Sequence, residues 1–117
     1  MIPKVLIEQY VVRESIVTAS ASLTDATVTT LISGDSASKL DLVQIGFSNN
    51  SDAATLVTLK DDGTTVRTLS APVVTVSQPE YQWNIPLPQS KVGGRWTVQL
   101  PSLSGTTVTV NALFIKR

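Results

Sequence analysis

The sequence has 117 residues, 42% hydrophobic and 15% charged, with nine basic and nine acidic side chains and a formal net charge of zero. It has no cysteine and no histidine, which excludes disulfides, thiol catalysis and nearly all transition-metal sites, and removes the commonest general base near neutral pH. Without a basic excess there is no electrostatic footprint for nucleic acid, whose binders neutralise phosphates.

The length predicts one domain, 1–117, which buries roughly two thirds of its unfolded-chain surface and so can hold a core unaided. Helical periodicity is nearly absent. Alternating apolar residues and short β-branched runs recur between turn residues, the pattern of strands. Lys4 to Thr18 is expected to hold one or two strands through Val5, Ile7, Val11 and Val17. The interruptions at Glu8, Arg13 and Glu14 argue against a secretory signal there, and no apolar run approaches a membrane span. Ala26 to Ile32 is the next strand, closed by Ser33-Gly34-Asp35-Ser36. Lys39 to Ser48 is mostly apolar, and its Leu42-Val43 pair breaks the alternation, which predicts a β-bulge.

Thr55 to Lys60 and Thr64 to Leu69 flank Asp61-Asp62-Gly63. That is the clearest hairpin, because Asp and Gly tolerate the positive φ that tight hairpin turns need. A short strand is expected from Val73 to Val76. Tyr81, Trp83, Ile85 and Leu87 then alternate with polar residues or prolines; Pro86 and Pro88 lack amide donors, which predicts an edge strand or an exit from the sheet. Arg95 to Leu100 follows Gly93-Gly94, and Ser104-Gly105 turns into Thr106 to Ile115, where Val108, Val110, Ala112 and Phe114 share a face. About eight such strands predict an all-β fold: an antiparallel jelly roll or two-sheet β-sandwich. An immunoglobulin-like sandwich ranks second, since its Cys-Trp-Cys signature is absent.

Few residues invite chemistry. Asp61-Asp62 offers two carboxylates for calcium, but so short a loop supplies too few oxygens and the turn explains both. No Ser or Thr has a histidine base, and Lys39, Lys60, Lys91 and Lys116 look like ordinary strand-end or loop lysines. Neither a catalytic residue, a cofactor nor a metal is therefore expected. Tyr81, Trp83 and Trp96 can be read as an aromatic platform for sugar rings, but both tryptophans fall in alternating apolar sets and are expected in the core.

The run Gln44-Ile45-Gly46-Phe47-Ser48-Asn49-Asn50-Ser51-Asp52-Ala53-Ala54 leads into Val57-Thr58-Leu59-Lys60-Asp61-Asp62-Gly63-Thr64-Thr65-Val66. Leu69, Ala71-Pro72, Pro86-Leu87-Pro88 and the closing Gly105-Thr106-Thr107-Val108-Thr109-Val110 follow. Together these resemble the small jelly-roll virion proteins of tailed bacteriophages, which decorate or cement the capsid and also occur in head fibres. The resemblance covers roughly residues 40 to 117. It implies a non-enzymatic protein, made in the host cytoplasm, that binds the major capsid protein lattice on the outer capsid surface and stabilises the head. Its expected partners are the major capsid protein and copies of itself, as a homodimer or homotrimer, with no nucleic acid and no membrane. Because termini often decide how such proteins dock, the expected contacts are Met1, Ile2, Pro3, Lys4 and Val5 at one end and Lys116 and Arg117 at the other. The alternative is a receptor- or carbohydrate-binding module of a phage fibre or tail, motivated by the three aromatics.

Overall fold

The computed structural model of the chain describes residues 16–51, 53–75, 77–101 and 107–117. These form eight strands: β1 (Ile16–Leu23), β2 (Thr29–Ile32), β3 (Leu40–Asn49), β4 (Thr55–Asp61), β5 (Thr64–Ala71), β6 (Tyr81–Trp83), β7 (Trp96–Gln99) and β8 (Val108–Lys116). They build two four-stranded sheets, ordered β1-β8-β3-β6 and β2-β7-β4-β5. All strand pairings are antiparallel. Apart from the β4–β5 hairpin, each connection crosses from one sheet to the other, which gives the jelly roll its packed double layer.

Alternation sets the inner faces. On β8, Val108, Val110, Ala112 and Phe114 are all buried, as their spacing predicts. On β3 the phase changes midway: Leu40 and Leu42 are buried, and so are Ile45 and Phe47. The cause is the expected bulge. Leu42 pairs with Phe114 and Gln44 with Leu113, so Val43 is the extra residue. Without it the period of two would turn Ile45 and Phe47 to solvent. Val57, Leu59, Leu69, Trp96 and Val98 line the facing sheet.

Buried polar side chains tie the strand ends together. Asn49 donates from Nδ2 to the carbonyls of Ala53 (3.0 Å) and Ala71 (2.8 Å), while its Oδ1 accepts from the Ser51 amide at 3.0 Å. Gln89 accepts from the Leu40 amide at 2.7 Å and donates to the Gly94 carbonyl. Both satisfy backbone groups where the ladders end.

The Asp62-Gly63 turn has φ of 48° and 87°, the left-handed pair of a type I′ hairpin. A Cβ on Gly63 meets nothing within 4 Å, so Gly63→Ala is expected to cost about 1 kcal/mol through backbone strain alone. A urea titration of the variant reads that cost as a lower midpoint at unchanged slope.

Three expectations shift. The first strand among the described residues, β1, covers Ile16–Leu23 and so runs on past Thr18; residues 4–15 of the Lys4 to Thr18 expectation lie outside the described ones. Ala19, Ser20, Ala21 and Ser22 are too small to signal a strand, yet their alternation continues Val17 towards Leu23. Val73 makes only an isolated parallel bridge with Asn49. It follows Pro72, whose missing amide cannot join a ladder; Val76 lies outside the described residues, as do Ser104, Gly105 and Thr106. Trp83, expected in the core, is 38% exposed. It pairs with inward-facing Ile45, but β6 is the sheet edge, so its ring lies at the margin of the sandwich.

Candidate functional site

The residues that drew attention in the sequence do not converge. Met1, Ile2, Pro3, Lys4 and Val5 lie outside the described residues. Lys116 pairs with Asp35 at 3.1 Å. Arg117 grips Asp41 with two nitrogens, at 2.6 and 3.2 Å, and its backbone exchanges two 2.9 Å bonds with Lys39. The Arg117 guanidinium holds the Asp41 carboxyl below the usual carboxylate range, helped by the Gln89 amide and opposed by burial. Asp35 is also lowered, chiefly by the Ala37 amide and then by Lys116.

The adjacent carboxylates part company. Asp61 is buried and accepts from the Ser90 amide at 2.8 Å. Asp62 sits at the turn and pairs with Lys91 at 2.6 Å, which lowers its pKa and raises that of Lys91. They share no ligand geometry. Among the described residues, no three Asp, Glu, His or Cys side chains gather as a metal site. The aromatics separate too. Trp96 is fully buried, donates from Nε1 to the Leu40 carbonyl at 2.7 Å, and packs 5.9 Å from Phe114. Tyr81 pairs with Phe47 and Trp83 with Ile45, so both stand on the inward-facing side of the edge strand β6, while Trp96 belongs to the opposite sheet and is fully buried; the three form no common exposed platform.

What the described residues do assemble is a groove of about 470 Å³ on the outer face of the β1-β8-β3-β6 sheet. Antiparallel partners share a face, so register fixes the rows across it. Thr18, Leu113 and Gln44 form one row; Ser20, Asn111, Gly46 and Gln82 form the next. Glu80, just before β6, reaches over Gly46: its Oε1 occupies the space that a Cβ there would need. Asn111 donates to that oxygen at 3.2 Å. Gln44 donates from Nε2 to Gln82 Oε1 at 3.3 Å and to Asn84 Oδ1 at 3.2 Å. The floor is thus ordered amides, one carboxylate and the half-buried side chain of Leu113. No Lys or Arg lines it. Sequence reading missed this groove because it followed the aromatics. The available signal was the outward set of β3, Gln44-Gly46-Ser48, where a glycine stands between two polar residues.

No protein-family model matches the sequence, and no curated protein matches it. Solved structures do share the architecture. A chain of the acid-stable capsid of Helicobacter pylori bacteriophage KHP30 superposes with a TM-score of 0.61 at 12% identity, over 86% of each chain. A chain of the cyanophage Pam1 capsid asymmetric unit gives 0.51 at 12% identity, over 86% of this chain and 82% of that one. A carbohydrate-binding CBM36-1 domain of a xylanase from the hindgut metagenome of Trinervitermes trinervoides gives 0.46 at 17% identity, over 84% and 68%. At these identities the likeness is one of fold, and in the last case it is too loose to bear on function.

Proposed function

We propose that this protein is a non-enzymatic decoration, or cement, protein of a bacteriophage capsid. It binds the major capsid protein lattice on the outer surface of the head and stabilises the shell. The observation that carries the reading is the match to chains from two phage capsids over more than four fifths of both partners. Those chains therefore have about this length and share this fold, and both come from phage capsid structures. The sequence agrees: with no histidine and no cysteine it is poorly equipped for acid–base or thiol chemistry, and its zero net charge leaves little repulsion between copies packed side by side.

The mechanism is bridging. Each copy, as a homodimer or homotrimer, covers a patch across a capsomer joint, and repetition over the lattice makes the sum hard to dislodge. Host-cytoplasm synthesis and assembly onto the shell follow from the same reading, as does indifference to nucleic acid and membrane. The test is co-sedimentation of the purified protein with empty shells of the encoding phage, scanned over salt. Saturable binding at a fixed ratio to the major capsid protein is expected. Binding that persists at high salt assigns the contact to apolar surface, since exposed charge pairs are screened. Absence of binding at every salt concentration overturns the proposal.

A further inference from the structure

We propose that the groove on the outer face of the β1-β8-β3-β6 sheet is a binding site for a neutral, hydroxyl-rich glycan chain. This goes beyond capsid binding and does not depend on it. Four observations converge on that ligand.

First, the polar groups match hydroxyls. A sugar hydroxyl donates one hydrogen bond and accepts others, so its natural partners are groups that do both within a small space. Gln44 spends its amide nitrogen on Gln82 and Asn84. That leaves its carbonyl as an acceptor and the Gln82 nitrogen as a donor on the groove wall. Asn111 spends its nitrogen on Glu80, which leaves its own carbonyl and the second Glu80 oxygen as acceptors. The internal bonds hold these groups in place before any ligand arrives, which lowers the ordering cost of binding.

Second, the shape is made by an absent side chain. Gly46 lies in the middle of the sheet, and the Glu80 carboxylate sits where a Cβ would otherwise stand. The carboxylate therefore lies on the floor of the groove instead of reaching into solvent.

Third, the floor is not wholly polar. Leu113 is half buried between Thr18 and Gln44 and offers an apolar surface to the C–H face of a sugar ring. A volume of about 470 Å³ falls within the range of ligand sites, roughly 300–1,000 Å³.

Fourth, charge and topology disfavour the rivals. With one carboxylate and no cation in the lining, phosphates and acidic polysaccharides meet no counter-charge. An extended peptide gains most of its affinity by pairing with an open strand edge. This groove instead lies on the face of the sheet, across β1, β8, β3 and β6, where a ligand meets side chains and not the unpaired backbone of a strand edge.

The test is NMR of the full, ¹⁵N-labelled chain, following the side-chain NH₂ signals of Gln44, Gln82 and Asn111. The probes are cellohexaose, xylohexaose, maltohexaose and chitohexaose (N-acetylated), with polygalacturonate as the anionic control. At least one neutral saccharide is expected to shift these signals saturably, and polygalacturonate is expected to leave them in place. The double variant Gln82→Ala/Asn111→Ala is expected to weaken that binding about tenfold or more without changing sedimentation on phage shells. If the variant folds poorly, the mapping on the unaltered protein still decides. The proposal is overturned if no neutral saccharide moves the three signals, or if binding survives the double variant. It is equally overturned if protein concentration alone moves them, which gives the groove to a second copy, or if removing residues 1–15 moves them without sugar, which gives it to the chain itself.

Discussion

Trp96→Ala is expected to lose about 3–5 kcal/mol of folding stability, enough to bring a domain with a total of about 5–15 kcal/mol close to unfolding. The indole is fully buried and is the largest side chain of the core. It starts β7, where its backbone pairs with Ile32 on one side and Asp61 on the other. Its ring packs against Phe114 of the opposite sheet, and its Nε1 hydrogen satisfies the Leu40 carbonyl. Alanine removes the contact between sheets and the donor together, and leaves a cavity that paired strands cannot close. Trp96→Phe separates the two effects: it keeps an aromatic ring and gives up the hydrogen bond, at an expected cost of about 1–3 kcal/mol. Urea unfolding measures both. In Trp96→Phe the only remaining tryptophan is Trp83, so the native emission should move to the red, towards that of an exposed indole. A Trp96→Ala midpoint close to that of the unaltered protein would show that this ring does not hold the two sheets together.

Most of the fold was legible because alternation is a local property. Val108, Val110, Ala112 and Phe114 announce β8 and its buried face, and Asp62-Gly63 announces a turn whose positive φ values follow from those two residues. Even the β3 bulge could be read, since two adjacent apolar residues with buried neighbours on both sides require a change of phase. What the sequence hides is lateral position. Trp83 and Trp96 stand in equally good alternating sets, yet one lies on a sheet edge and the other in the centre of the opposite sheet. Only strand order decides between them, and strand order is a long-range property. The groove was hidden for the same reason. Thr18, Asn111, Gly46 and Gln82 come from four separated strands, and each alone reads as an ordinary outward-facing residue. Register makes them neighbours.

Deleting residues 1–8 is expected to abolish binding to phage shells while leaving the melting temperature unchanged. If the protein decorates a capsid as proposed, the described residues narrow where its lattice contact resides. Lys116 and Arg117, the other expected contacts, already hold Asp35 and Asp41 within the molecule. Recruiting them to a partner means breaking those pairs first, and exposed pairs of this kind are worth at most about 1 kcal/mol each. A new contact built on the same exposed charges would be worth as little, so they are poor anchors for the proposed attachment to a shell. Residues 1–8 carry Ile2, Val5, Leu6 and Ile7 around Pro3 and Lys4, an apolar segment of the kind that supplies the central contacts of an interface. The buried core among the described residues runs from Leu23 to Phe114, so truncation leaves it whole. Occupancy on shells, measured by co-sedimentation, should fall about tenfold or more for the truncated chain. For Arg117→Ala it should change by less than about threefold, the effect of a screened surface pair. Undiminished occupancy of the truncated protein would move the contact onto the sandwich itself. A loss in Arg117→Ala as large as in the truncation would mean that the Asp41 pair opens on docking and that charge carries the attachment.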